Sequence, residues 1–391
     1  MNETLLARLQ AVDPTILTGV VRQDQRSASM EIVEWSVRRL SDKGIANPDG
    51  LWLVSGRGQV DGDTRSWSVV VKIIRRPDSE VAPTDLSYWK REFLVAQSGL
   101  LADLPGPVLA PRFYLVNETE DSIWLWMEHL QSASNHEWTI DDYAFASRQL
   151  GRWNGCYLAG TPTPDYPWLA VDHCQSWIGQ GDPAEAWKDP RVAMNFSDTD
   201  RSRHMEFSAD RESFIDILKR LPQVFSHFDY QRRNLFLHEV NGAFKTVYAI
   251  DWAICGHGAI GSDLCALILT SIIVFELPFV FFNELEAAVN QAYLDGLRDA
   301  GWQGPAELAR LGYLAYSSLW FTLIFPRGVA WWSADEQQAF AMQQFGLAGD
   351  ELMKAYAIMF PALLDRVDEA RNLINHSSDY FARYELYMPS Q

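Results

Sequence analysis

Between Ser226 and Ala266 the chain reads SHFDYQRRNLFLHEVNGAFKTVYAIDWAICGHGAIGSDLCA, and no other stretch restricts the fold as tightly. An alternating apolar run through Leu235 and Leu237 leads into the turn residues Asn241 and Gly242, and a second strand from Thr246 to Ile250 ends at Asp251. This is the pattern of a β-hairpin. A hairpin brings its far end back to its start, so Asp251 is expected beside Asp229 and Asn234, which lie just before the first strand.

Asp229 and Asn234 stand in the D-x-x-x-x-N spacing of a phosphoryl-transfer catalytic loop. A carboxylate near an incoming hydroxyl can accept its proton, while an amide oxygen a short loop away can bind a hard cation. Asp251 would supply the second oxygen for Mg²⁺. A lone D-x-x-x-x-N would equally describe two residues capping a turn; the returning strand and its terminal acid set this one apart. His227 has no second histidine at ligand spacing and is read as a group that hydrogen-bonds the loop backbone.

Phosphoryl transfer also needs a cation on the nucleotide phosphates. Ser66 to Ile74 is a β-branched run containing Lys72, and a lysine on a buried strand is costly unless paired. Tyr88 to Gly99 has helical spacing, with Trp89, Phe93 and Ala96 on one face and Glu92 near its middle, available to Lys72. Lys90 and Arg91 read as its solvated neighbours.

With these residues in place, the chain resembles the aminoglycoside phosphotransferase and choline kinase-like superfamily of small-molecule kinases. The resemblance rests on His227-Phe-Asp229 with Asn234, on Ile250-Asp251-Trp252, on Gly258 to Asp263-Leu264, and on Lys72 with Glu92. It spans about 200 residues in order. Phe228 departs from the glycine usual in that loop. The resemblance implies an α+β, two-lobed protein-kinase-like fold with an antiparallel-sheet N-lobe and a mainly helical C-lobe. It also implies ATP as phosphoryl donor, with the backbone of Glu128 and Leu130 reading the adenine at the hinge after the strand Ser122 to Met127. H-R-D, D-F-G and A-P-E are all missing, so a protein substrate is disfavoured.

There is no G-x-x-x-x-G-K-[ST] sequence, and upstream of Lys72 there is no ordered G-x-G-x-x-G. The segment 41–50, between strand-like runs at 31–40 and 51–58, either covers the phosphates or is a plain hairpin loop. Trp124 and Trp126 read as core and pocket wall. The hinge divides the chain into 1–130, an N-lobe that binds nucleotide, and 131–391, a C-lobe with the catalytic loop, metal site and acceptor-binding helices. At 391 residues the chain is long enough for both.

In the second part, Tyr143, Ala146, Leu150, Trp153 and Tyr157 recur at helical spacing behind Asp141, the expected N-cap. Residues 161–210 read as loops and short helices. Cys265 to Phe282 is apolar but only 18 residues long and is interrupted by Glu276 and Pro278, so a helix buried behind the metal loop is expected rather than a membrane span. The aromatic stretch Tyr313 to Trp332 is expected to help build the acceptor pocket. Cys156, Cys174, Cys255 and Cys265 form no C-x-x-C pair and read as free thiols of a cytoplasmic protein.

The net charge of −18 disfavours nucleic acid and anionic membrane as partners. Residues 131–391 carry 19 basic and 33 acidic groups, against 14 and 18 in residues 1–130. A negative field over the acceptor-binding part would concentrate a cationic small molecule, although acidity also serves solubility alone. The sequence thus leads to an Mg-ATP-dependent phosphotransferase acting on a small-molecule hydroxyl, with Asp229 catalytic, Asn234 and Asp251 on the metal, and Lys72 anchored by Glu92. The alternative is a pseudokinase-like module that holds nucleotide without turnover. A metal-dependent hydrolase built on His227 and Asp229 lacks the further ligands it would need.

Overall fold

The computed structural model describes residues 2–41, 50–131, 137–171, 183–240 and 243–386. Most of segment 41–50, the Asn241-Gly242 turn, Cys174 and Trp177 lie outside the described residues.

Two short helices open the chain, α1 (Asn2–Gln10) and α2 (Pro14–Gln25). Asp13 starts α2 by accepting the Thr15 amide, and Pro14 takes the first helical position, where its missing N–H is no loss. Strands β1 (Glu31–Ser41), β2 (Leu51–Val60) and β3 (Asp63–Arg75) follow. After them come helix α3 (Arg91–Ser98), the two-residue β4 (Val108–Leu109), β5 (Phe113–Glu118) and β6 (Ser122–Glu128). Five of these strands form one antiparallel sheet in the order β1-β2-β3-β6-β5.

Strand alternation sends residues to two different layers. Trp52, Val54, Trp67, Val69, Val71, Ile73, Trp124 and Trp126 pack under α1 and α2 with Leu5, Leu9, Leu17 and Val21. Leu53, Val70, Ile123, Leu125 and Met127 face the other way, toward Phe93 of α3. Lys72 pairs in register with Leu125 and shares this second face. Trp124 and Trp126 are therefore core under the N-terminal helices and not pocket wall.

The rest of the chain is mainly helical. Helix α4 (Ile140–Leu158) is capped by Thr139, whose side chain accepts the Asp142 amide while Asp142 accepts the Thr139 amide. The cap is thus Thr139, and Asp141 sits in the first turn. The described residues of segment 161–210 include the short helices Pro183–Lys188 and Pro190–Asn195, as read, and the start of a longer one, α5 (Asp198–Arg220). Strand β7 (Gln223–Ser226) precedes the hairpin β8 (Leu235–Val240) and β9 (Ala243–Ala249), and β10 (Gly256–Ala259) pairs back onto β7.

The apolar run 265–282 is not one helix. It forms a π-helical turn at Ala266–Thr270 and a short helix at Ser271–Ile273, and a new helix, α6 (Phe282–Asp299), begins beyond Pro278. The helix ends at Ile273, Phe275 takes a left-handed φ of +60°, Pro278 bars helical continuation through its position, and Val280 is exposed. Helices α4 and α6 cross almost in backbone contact: a Cβ at Gly151 would lie 2.2 Å from the Tyr293 carbonyl oxygen, and one at Gly296 would lie 2.1 Å from that of Arg148.

Helix α7 (Ala306–Ser317), a π-helical turn (Ser318–Thr322) and α8 (Phe325–Trp332) follow, and α9 (Gly349–Asn375) packs against α5 and α7. The span 306–332 is long and apolar enough to cross a membrane, and 78% of its apolar window is buried inside the protein. Cys156, Cys255 and Cys265 are free thiols. The architecture is the α+β, two-lobed kinase-like fold that the resemblance implies.

Candidate active site

Lys72, near the end of β3, points its ammonium at two carboxylates. Nζ lies 2.6 Å from Glu92 Oε2 on α3 and 2.7 Å from Asp251 Oδ1, two residues past the end of β9. Burial disfavours the charge on Lys72, but the attraction of Asp251 and Glu92 outweighs it and its pKa is raised. Burial also raises Glu92, only 2% exposed, whereas Lys72 holds Asp251 below the usual carboxylate range. The Asp251 side chain is 37% exposed, so of the two acids it is the one that reaches the cleft.

The hairpin delivers Asp251 where the sequence pattern puts it. His227 links the two arms of the site: Nδ1 accepts the Asp229 amide at 3.2 Å and Nε2 faces the Ile250 carbonyl at 3.0 Å, which assigns the proton to Nε2. Burial keeps His227 neutral, with a pKa lowered to about 4. Asp229 is gripped on both oxygens, by Gln231 Nε2 at 2.7 Å on Oδ1 and by Asn234 Nδ2 at 2.7 Å on Oδ2. Burial and the nearby Asp251 charge push Asp229 up to about 7. A carboxyl titrating there is matched to proton transfer near neutrality.

Asp229 sits in a loop with an unusual backbone. Phe228 has φ +63°, in the left-handed region where a bulky residue is strained. Buried Asp263 holds it there, accepting the Phe228 amide at 2.6 Å and the His227 amide at 3.4 Å. Asp263 thus braces the loop that carries Asp229. The Phe228 ring stacks on Tyr316 at 5.6 Å, and Tyr316 on Trp320 at 5.8 Å. Space for the ring comes from Gly258, where a Cβ would lie 2.8 Å from it. The run Gly256-His-Gly-Ala-Ile-Gly261 has the G-x-G-x-x-G spelling, yet its glycines answer to packing: a Cβ at Gly256 would lie 2.1 Å from the Ala170 carbonyl oxygen.

Two side-chain oxygens could serve a cation. Asn234 spends its Nδ2 on Asp229, which leaves Oδ1, and Asp251 spends Oδ1 on Lys72, which leaves Oδ2. No cluster of three or more His, Cys, Asp or Glu that could hold a metal occurs among the described residues. A pair of oxygen donors fits Mg²⁺, which takes its remaining ligands from phosphate and water.

At the hinge, the Glu128 side chain pairs with Arg112 at 3.0 Å and its amide donates to the Arg112 carbonyl at 2.9 Å. Leu130 is half-buried two residues on. A cavity of about 630 Å³ opens beside the hinge, lined by Ser36, Ser55, Ser66, Ser68, Glu128 and His129. The structure departs from the sequence reading at Arg91. Expected in solvent, it is fully buried.

No family model matches the chain, and no curated protein does. Solved structures do match along nearly their whole length. A microcompartment-associated aminopropanol kinase aligns with TM-score 0.51 and 14% identity over 90% of this chain and 98% of its own. A choline kinase from Cryptosporidium parvum Iowa II aligns with TM-score 0.51 and 14% identity over 94% and 100%. An amicoumacin kinase in complex with AMP-PNP, Ca²⁺ and Ami aligns with TM-score 0.50 and 12% identity over 90% and 95%. At these identities the likeness is one of fold.

Proposed function

We propose that this chain, which has the fold of the small-molecule kinases, is an Mg-ATP-dependent phosphotransferase that moves the γ-phosphoryl group of ATP to a hydroxyl of a small molecule. The observation that carries this reading is the Lys72 ammonium held by Glu92 and Asp251 at 2.6 and 2.7 Å, with the doubly gripped Asp229 close enough to feel the Asp251 charge. Lys72 would neutralise phosphate oxygens, and Glu92 would keep its ammonium from following the nucleotide out of the cleft. Asp229 would orient the acceptor hydroxyl and take its proton. Asn234 and Asp251 would hold Mg²⁺, which when bound supplies charge neutralisation on the phosphates.

Residues 1–130 would act as the nucleotide lobe and 131–391 as the catalytic and acceptor lobe. Because the Glu128 amide is committed to Arg112, adenine recognition would fall to the Glu128 carbonyl and the Leu130 amide. The acceptor is proposed to be cationic, an aminoglycoside, amino sugar or choline-like molecule. The excess of acidic groups in residues 131–391 supports this, as do the amine-bearing substrates named for the aminopropanol and choline kinases of like fold. The free thiols fit a cytoplasmic setting.

The test is ADP release from ATP and Mg²⁺ across a panel of aminoglycosides, amino sugars, choline and neutral sugars, with Asp229→Ala as control. Acceptor-stimulated release that disappears in the variant is expected. Nucleotide binding without release for any acceptor would favour a pseudokinase-like module instead.

A further inference from the structure

Arg91 begins α3, next to Glu92, and its guanidinium is buried with all five N–H donors spent on backbone carbonyls. Nε donates to Trp168 O at 2.8 Å, and Nη1 donates to Leu86 O and Ala253 O, each at 2.9 Å. Nη2 donates to Pro83 O at 3.0 Å and also to Asp85 O. None of the five bonds goes to a carboxylate.

The acceptors come from three separate segments. Pro83, Asp85 and Leu86 belong to the turn leading into α3. Ala253 stands two residues after Asp251. Trp168 lies in a strip that is itself joined to the metal loop, since Ala170 exchanges hydrogen bonds with Cys255 and His257. A buried charge that bonds to no carboxylate persists only where dipoles replace its hydration, and five carbonyls do so here.

We infer that Arg91 is a positioning residue that clamps helix α3 to the metal loop and so fixes Glu92, Lys72 and Asp251 in register. This rests on the phosphotransferase reading of those three groups. The clamp reaches Ala253 and Trp168 in the second lobe from the residue adjacent to Glu92, so α3 cannot swing away without breaking both of those bonds. Lysine keeps the charge but has three donors on one atom and no planar fork, and cannot span the same acceptors. Arg91 thus ties to the second lobe the helix whose position kinases with an activation segment adjust.

The test compares wild type, Arg91→Lys, Glu92→Gln and the double variant by affinity for Mg-ADP, with hydrogen exchange measured in parallel. Arg91→Lys is expected to weaken Mg-ADP at least tenfold alone but less than threefold in the Glu92→Gln background, because it acts through Glu92. Amides of residues 92–98 and 252–255 should exchange faster while those of α4 and α6 stay unchanged. Equal losses in both backgrounds, or unchanged exchange at 92–98, would overturn the inference. So would loss of the cooperative unfolding transition, which would make Arg91 a core residue and not a clamp on the site. Should wild type bind no Mg-ADP, the phosphotransferase reading fails, and the exchange comparison alone decides the role of Arg91.

Discussion

At the scale of single residues the site divides into groups legible in sequence and groups that are not. Asp229, Asn234 and Asp251 meet because one hairpin joins them, so local pattern is enough to bring them together. Asp251→Ala should abolish Mg²⁺-dependent turnover while the unfolding transition stays cooperative; an active, magnesium-requiring variant would remove the metal assignment. Arg91 shows the opposite case. In sequence it is one charge beside Lys90, yet Lys90 pairs with Glu118 near the surface while Arg91 meets three carbonyls of the turn before it and two, of Trp168 and Ala253, from distant segments. No local signal distinguishes them. Phe228 is strained by about 1–2 kcal/mol in its left-handed backbone, but a buried aromatic contributes about 3–5 kcal/mol relative to its removal. Phe228→Gly should therefore destabilise, read as a lower urea midpoint, despite restoring the loop's usual glycine. Asp263 is pushed up to about 7 from an ordinary 3.8, chiefly by burial, so the folded state holds a proton that the unfolded chain releases. The stability it contributes is complete below about pH 4 and declines as pH rises to about 7. Asp263→Asn should flatten that decline, on the order of a few kcal/mol, in urea unfolding compared at pH 5 and pH 8.

At the scale of elements, strands proved readable within a few residues where alternation was regular, as in β1, β2, β3 and β6. Helix α3 starts at Arg91, later than Tyr88, because Asp85 to Tyr88 are occupied in turns that feed the arginine clamp. The apolar run 265–282 reads as a buried helix, yet its helix ends at Ile273; hydropathy does not show the left-handed turn at Phe275. Helices α1 and α2 carry no motif and are fixed by the tertiary contact of their apolar faces with the sheet. Nor does sequence show which helices will cross closely. Gly151 and Gly296 let α4 and α6 approach, and Gly151→Ala would drive a methyl into the Tyr293 carbonyl. We expect it to cost about 1–3 kcal/mol or more, seen as a lower urea midpoint with an unchanged slope.

At the scale of the whole molecule, the proposed function would depend on two lobes meeting at Lys72 and Asp251, which lie 2.7 Å apart. A nucleotide lying between them binds only the folded form, so Mg-ADP at a hundredfold excess over its Kd should stabilise the protein by about 2.7 kcal/mol, visible as a raised melting temperature. If the acidic excess of residues 131–391 draws in a cationic acceptor, the acceptor's KM should rise with ionic strength while that of a neutral sugar should not. The N-terminal helices belong to this scale too. They cover Trp52, Trp67, Trp124 and Trp126, and the Arg8–Asp121 pair at 2.9 Å latches α1 to the far edge of the sheet. The next methionine after Met1 is Met30, buried at the start of β1. A polypeptide whose translation began at Met30 would keep every residue of the candidate active site and still emerge with four indoles of its sheet bared to water, a product for chaperones and proteases before it could meet a substrate.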